Sequence, residues 1–343
     1  MVMVVVMIMM QIPAFRGAGV VSCERLSTYA MRREQFVSAV AGLALSNGLR
    51  PARAADPIVV NVGTLPVDTS AVVFYAQDQG YFKAAGLDVR IQTMASGPVT
   101  AQAVAGNAID IGVANVATVA SARLRGVPLK FIAPAAIAGD ATRTDLLMVS
   151  KTSTIVKAAD LNGKTVGVNG LRDLQELCVR AWSDKHGGDS KTLKFVEVPF
   201  STMGGALEAG RVDAAMPVEP FVSADRSTAR VLGNPLDGLN GRFMIVGWLA
   251  TDSWLATHAD AASRFASAIA KAAAWANTHE KESAAILVAN SRLDPATANT
   301  MARAVYGTQL EPSLIQPVID GAVKYGIIDK PIAATDLVWT APK

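Results

Sequence analysis

Cysteine is nearly missing from this chain. Its 343 residues hold two, Cys23 and Cys178, far apart in sequence, so no disulfide framework stabilises it. Cys178 lies in the helical pattern Leu174 to Trp182 and reads as a buried core thiol, because free cysteine behaves as a small hydrophobe. Histidine is scarce too. His186, His258 and His279 show no metal-ligand spacing. There is no Gly-x-Ser-x-Gly elbow and no Gly-x-x-x-x-Gly-Lys-Ser/Thr loop, which speaks against serine-hydrolase chemistry and against ATP hydrolysis by the chain itself. Charged residues make up 18%, below the usual share of about 25%. A net charge of +3 is too small to argue for nucleic acid, and it suits an anionic ligand no better than no ligand preference.

Alanine and valine supply much of a hydrophobic content of 51%, which suits a well-packed α/β protein, and the length permits two lobes. The N-terminal region reads as an export signal. Met31-Arg32-Arg33 opens a basic segment, Phe36 to Leu45 is apolar, and Ala52-Arg53-Ala54 is an A-x-A cleavage site. The paired arginines fit the twin-arginine route, although the spacing to Phe36 leaves the general secretory route open. Residues 1–30 fit no signal of their own and read as an upstream extension, with Met31 the expected start. Val20-Val21-Ser22-Cys23 resembles a lipobox and gives a rival lipoprotein reading. After the signal no long apolar run remains, so the mature chain is expected to be soluble and to begin near Ala55.

From there strands and helices alternate, the pattern of a mostly parallel sheet covered by helices. Val60 to Gly112 carries it most clearly. Strand 58–62 leads through the loop from Gly63 to Ser70 into a helix at 71–79. Strand 87–93 leads through Ala95-Ser96-Gly97-Pro98 into a helix from Val99. Helix N-termini hold unpaired N–H groups and partial positive charge, so two of them at one sheet edge form a half-site for a small ligand. Further strands are expected at 109–113, 129–135, 146–150, 165–169, 194–198, 212–216 and 243–251. Further helices are expected at 115–124, 174–186, 204–209 and 259–279. Residues 331–343 read as a loose tail.

Two short segments echo each other. Ala105-Gly106-Asn107-Ala108-Ile109-Asp110 parallels Glu208-Ala209-Gly210-Arg211-Val212-Asp213. Each is a helix end, a residue suited to φ > 0 (Asn107 or Gly210), then a strand opening with an apolar residue and aspartate.

The run Ala76-Gln77-Asp78-Gln79-Gly80-Tyr81-Phe82, then Gly86-Leu87-Asp88-Val89, Ser96-Gly97 and Ile109-Asp110-Ile111-Gly112, resembles the periplasmic binding proteins of nitrate, taurine and sulfonate ABC transporters. It is also similar to the related family that binds thiamine-pyrimidine precursors. The resemblance runs from about Asp56 to the C-terminus. It implies a type II two-lobe binding fold, each lobe a mostly parallel sheet flanked by helices, with the ligand in the cleft between. The lobes would be 55–147 plus 246–343 and 148–245, hinged near Leu146 to Ser150 and Phe243 to Gly247. It implies a periplasmic, non-enzymatic component without cofactor or metal. That component would capture a small, anionic organic solute (sulfonate, taurine, nitrate or aryl carboxylate) and pass it to a membrane permease driven by a separate ATPase. Contact with the membrane complex would be peripheral, and nucleic acid is no partner. Alternatives are an enzyme of the same fold acting on a pyrimidine or small carboxylate, and a ligand-sensing module.

Carried over motif by motif, the first lobe offers Pro66, Thr69, Ser70, Ser96, Gly97, Pro98, Asn115 and Thr118. Ser96, Asp68 and Asn115 serve equally as helix caps. The second lobe offers Arg172, Asp173, Ser201 and Glu219. Arg172 departs from the Ser or Thr that family members often carry. It either pairs with an anion in bidentate fashion or sits in solvent beside Asp173 or Glu176. Glu219 either accepts from a ligand or serves the hinge. Phe74, Tyr75, Phe200, Phe221 and Trp248 stand near strand ends, mostly as core, with one or two free to stack on a planar ligand.

Overall fold

The computed structural model describes residues 56–139, 141–292 and 294–342. The signal, upstream-extension and lipobox readings lie outside the described residues.

Among the described residues eleven strands form two sheets. They are β1 (Ile58–Thr64), β2 (Leu87–Thr93), β3 (Ile111–Asn115), β4 (Leu129–Ala138), β5 (Leu147–Ser150), β6 (Thr165–Val168), β7 (Lys194–Glu197), β8 (Ala214–Ala215), β9 (Ala229–Gly233), β10 (Phe243–Thr251) and β11 (Val305–Tyr306). The first sheet runs β11-β4-β10-β3-β1-β2, and the second β7-β6-β8-β5-β9. In the first sheet β1 pairs in parallel with β2 and β3, and β10 is inserted antiparallel between β3 and β4. In the second, β6 pairs in parallel with β7 and β8, and β5 is inserted antiparallel between β8 and β9. Each sheet therefore has the same plan, and the inverted strand in each is the one that arrives from the other sheet.

The chain leaves the first sheet after Ala138 and joins the second at Leu147. It leaves the second after Gly233 and rejoins the first at Phe243. The connections are thus residues 139–146 and 234–242. The segments expected as crossings lie just beyond them, inside the sheets. β10 in particular pairs with β3 and with β4 and is almost wholly buried. A continuous apolar run covered on both faces is the signature of a central strand.

Helix Ala259–Ala276 lays Ala261, Ala262, Phe265, Ala268, Ile269, Ala272, Ala273 and Ala276 into the core. That is one apolar stripe at helical spacing. The small alanines let the helix come close, and Phe265 stacks on Phe82 and meets the edge of Trp248. None of the helices among the described residues is long and apolar enough to cross a membrane.

The C-terminal segment is not loose. Val338 bridges in parallel to Phe131, the Trp339 N–H donates to the Phe131 carbonyl at 2.9 Å, and Leu337 is fully buried. β11 covers β4 only beside Ala136 and Ile137. The unpaired groups of β4 near Phe131 therefore give the tail a place to dock.

Candidate functional site

The C-terminal ends of the parallel strands of both sheets face one another across a cleft. Their sequences end in polar residues: Asn115 closes β3 and Asn169 follows β6. Direct bonds span the cleft. Asn115 Nδ2 donates to Asp173 Oδ2 at 3.1 Å, and Asn169 Nδ2 donates to the Ala95 carbonyl at 3.1 Å. Between them lies a cavity of about 50 Å³. One side is lined by Leu65, Val67, Thr69, Ser70, Gly97, Val113, Ala114, Asn115, Ile245 and Val246, the other by Asp145, Asn169, Asp173, Leu174, Gln175, Phe200, Met216, Val218 and Leu236.

Helix ends at the cleft are capped by side chains. Ser96 Oγ accepts from the Val99 N–H at 3.4 Å, and Asn115 Oδ1 from Thr118 N–H at 2.9 Å. Asp173 Oδ1 accepts from Gln175 and Glu176 N–H at 2.9 and 3.3 Å. These bonds satisfy donors that a helix start otherwise leaves open. Gln175 fastens the loop that presents Asp173: its Oε1 accepts from the Asn169 N–H and its Nε2 donates to the Met216 carbonyl.

Two carboxyls line the cavity. Asp145 is 3% exposed, and Thr144 Oγ1 donates to its Oδ2 at 2.8 Å. Burial lifts its pKa to about 7, and the carboxylates of Asp68 and Glu219 push the same way. Burial also lifts Asp173 to about 7, while the two N–H donors at its helix start and the Asn115 amide pull it down. Among the described residues no Lys, Arg or His lines the cavity.

The sequence-derived candidates divide. Thr69, Ser70, Gly97, Asn115 and Asp173 line the cavity. Ser70 Oγ turns back to the Leu65 carbonyl at 2.8 Å. Ser96 caps its helix just outside the lining. Pro98 packs across the cleft, where a Cβ on Gly170 would stand 2.9 Å from Pro98 Cγ. Pro66 lies outside the lining, its carbonyl bonded by Ser291 Oγ. Thr118 also lies outside, with a hydroxyl that has no partner among the described residues. Ser201 is exposed.

Arg172 points away from the cavity. Its backbone has φ 52°, its guanidinium is exposed, and it pairs with Asp329 at 3.2 Å. Glu219 is buried outside the lining. It accepts from Ser223 N–H and Oγ at 3.0 and 2.9 Å and from Ala302 N–H at 3.1 Å, while its own carbonyl accepts from Asp68 N–H at 2.7 Å. It ties a segment after β8 to two segments beside the first sheet.

Asp68, expected as a cap, is instead fully buried and forms an ion pair with the partly buried Arg303. Tyr306 Oη donates to its Oδ1 at 2.8 Å, and Arg303 Nη2 donates to Tyr75 Oη at 2.9 Å. Sequence reasoning missed Asp145 and Asn169 as cavity residues. The signal for Asn169 was present, a polar residue closing an apolar strand as Asn115 does.

Two helix-flanked sheets of one plan, joined by two crossings around a cleft, define the periplasmic binding protein fold. Solved structures at low identity share it. The alkanesulfonate-binding protein SsuA from Xanthomonas axonopodis pv. citri, bound to MOPS, matches with a TM-score of 0.70 and 18% identity over 83% of this chain and 99% of that one. The nitrate-binding protein NrtA from Synechocystis PCC 6803 matches at 0.67 and 14%, over 80% and 83%. The Candida albicans CA3427 gene product, which has the generic periplasmic binding protein fold, matches at 0.64 and 14%, over 82% and 96%. No curated protein matches the sequence significantly. The chain belongs to the NMT1/THI5-like family, whose model matches residues 68–283.

Proposed function

We propose that this chain is the extracytoplasmic solute-binding component of an ABC importer. The lobes divide within the connections 139–146 and 234–242, and they close on the solute by bending there. The closed form docks on a separate permease fed by a separate ATPase, and the solute leaves chemically unchanged. Export by the N-terminal signal brings the chain to the periplasm. The observation that carries this reading is the cavity at the facing strand ends. Ligands of open α/β sheets bind outside the carboxyl ends of the strands.

The volume supports hinge motion. A cavity of about 50 Å³ has room for a few waters, at roughly 10–15 Å³ each. Solute pockets are commonly about 300–1,000 Å³. A solute must therefore enter a wider cleft, and the bonds from Asn115 to Asp173 and from Asn169 to Ala95 must part to let it in.

The test is a thermal-shift screen against sulfonates, taurine, nitrate, aryl carboxylates, amines and pyrimidines. Binding to the native state alone stabilises it by about 2.7 kcal/mol at a hundredfold excess over Kd. A shift with one class, without product formation, is expected. Turnover of a bound compound would contradict the reading.

A further inference from the structure

We infer that the cleft takes a solute bearing an amino or amidino group on a small apolar body, with no anionic group. This names the solute class of the reading above and rests on it. The free polar atoms of the lining carry the inference. Asn115 spends its carbonyl on the Thr118 N–H and its amide on Asp173. Gln175 spends both ends, and Ser70 bonds the Leu65 carbonyl. What remains open is Asp145 Oδ1 and Asn169 Oδ1, for which no donor is found among the described residues, and the hydroxyl of Thr69, which makes no hydrogen bond there. The three side chains are more than nine-tenths buried, at 3%, 8% and 3% exposure. The Asn169 oxygen and the ionised Asp145 oxygen can only accept, and the hydroxyl can accept as well as donate. Acceptors that face a small buried cavity without a protein donor call for N–H groups from the occupant.

Charge points the same way. Among the described residues no basic side chain lines the cavity. Arg303 is committed to Asp68, and Arg172 lies at the surface with Asp329. A sulfonate, nitrate or carboxylate would be buried beside Asp145 with no cation to offset either charge. An ammonium or amidinium brings the opposite charge and the missing donors together. At the two helix starts that would attract an anion one N–H each is already taken, that of Val99 by Ser96 and that of Thr118 by Asn115. Val67, Phe200, Met216, Val218 and Val246 remain for the apolar body.

The test compares ligands that share one ring: benzamidine, benzylamine, benzoate and benzenesulfonate, titrated calorimetrically into the full chain at pH 8. Benzamidine or benzylamine is expected to bind about tenfold or more tightly than either anion. Asp145→Asn should weaken it by a similar factor, since loss of one partner of a buried charge pair typically costs at least that much. Arg172→Ala should leave it unchanged, and the melting curve of each variant checks its fold. Equal or tighter binding of benzenesulfonate or benzoate would overturn the solute class and leave the solute-binding reading intact. If none of the four binds, the broader screen decides. A sulfonate, taurine or nitrate response overturns the class, and an amine or aminopyrimidine response supports it. Silence throughout fells both readings.

Discussion

The two sheets share a plan but differ in what their loops do. Asp110 in the first lobe and Asp213 in the second occupy the same place. Asp110 Oδ2 accepts from the Asn61 N–H at 2.7 Å, and Asp213 Oδ2 from the Thr165 N–H at 2.8 Å. The preceding turns pass through Asn107 at φ 56° and Gly210 at φ 64°. The aspartates that follow β1 and β6 diverge. Asp68 is neutralised by Arg303 and serves the first lobe's own core. Asp173 has no basic partner among the described residues, caps a helix and reaches across the cleft to Asn115. The helix after the second strand also packs differently. Gly112 in β3 lies against helix Gly97–Ala105, where a Cβ would stand 2.6 Å from Thr100 Cγ2, whereas the matching position in β8 is Ala215. A repeated frame can thus hold its acids for structure on one side and for the cleft on the other.

The comparison can be broken at its strongest point by Arg303→Leu. It leaves Asp68 buried without its cation and should destabilise the chain by about 3–5 kcal/mol, read by urea unfolding. Asp110→Ala and Asp213→Ala test the shared clamp. Each should cost about 1.5–3 kcal/mol for bonds to a charged group. The larger loss is expected for Asp110, which also accepts from the Asn61 side-chain amide. Gly112→Ala sharpens the difference in helix approach and should cost about 1–3 kcal/mol by overpacking. Gly167→Ala in β6 should cost less, because its nearest neighbour would be Val198 Cγ2 at 3.2 Å.

The smallest effect concerns pH. Asp145 and Asp173 keep their protons to about pH 7 when folded, whereas an unfolded aspartate releases its proton near pH 4. The folded state therefore binds more protons through that window, and stability declines as pH rises. Asp68 and Glu219 beside Asp145, and Glu176 beside Asp173, act in the same direction. Between pH 6 and 8 the loss should be about 1 kcal/mol per group. Asp145→Asn should flatten the slope seen in melting temperature against pH.

Much of the frame was readable because apolar periodicity and turn residues are local signals. β10 spans the residues expected of it, and the turns at Asn107 and Gly210 take the positive φ their side chains suit. Half of the site was readable for the same reason: Gly97, Asn115 and Asp173 sit where strands meet helices. Asp145 was not, because its role depends on a neighbouring strand far away in sequence and on burial that no local pattern encodes. Arg172 stayed open between two readings for the converse reason. Its charge suggested an anion partner, but the left-handed backbone at that residue goes with a side chain turned outward to Asp329. The Asp68–Arg303 pair joins residues 235 positions apart and leaves no trace in either segment.

The claim that the cleft opens to admit solute is tested most directly by distance measurement in the free protein. Spin labels at Val59→Cys in β1 and Val231→Cys in β9 report on one lobe each, and both positions are exposed while Cys178 is buried. A distribution with a population longer than the distance in this structure is predicted. A single narrow distribution at that distance, in protein freed of any copurified solute, would contradict the account.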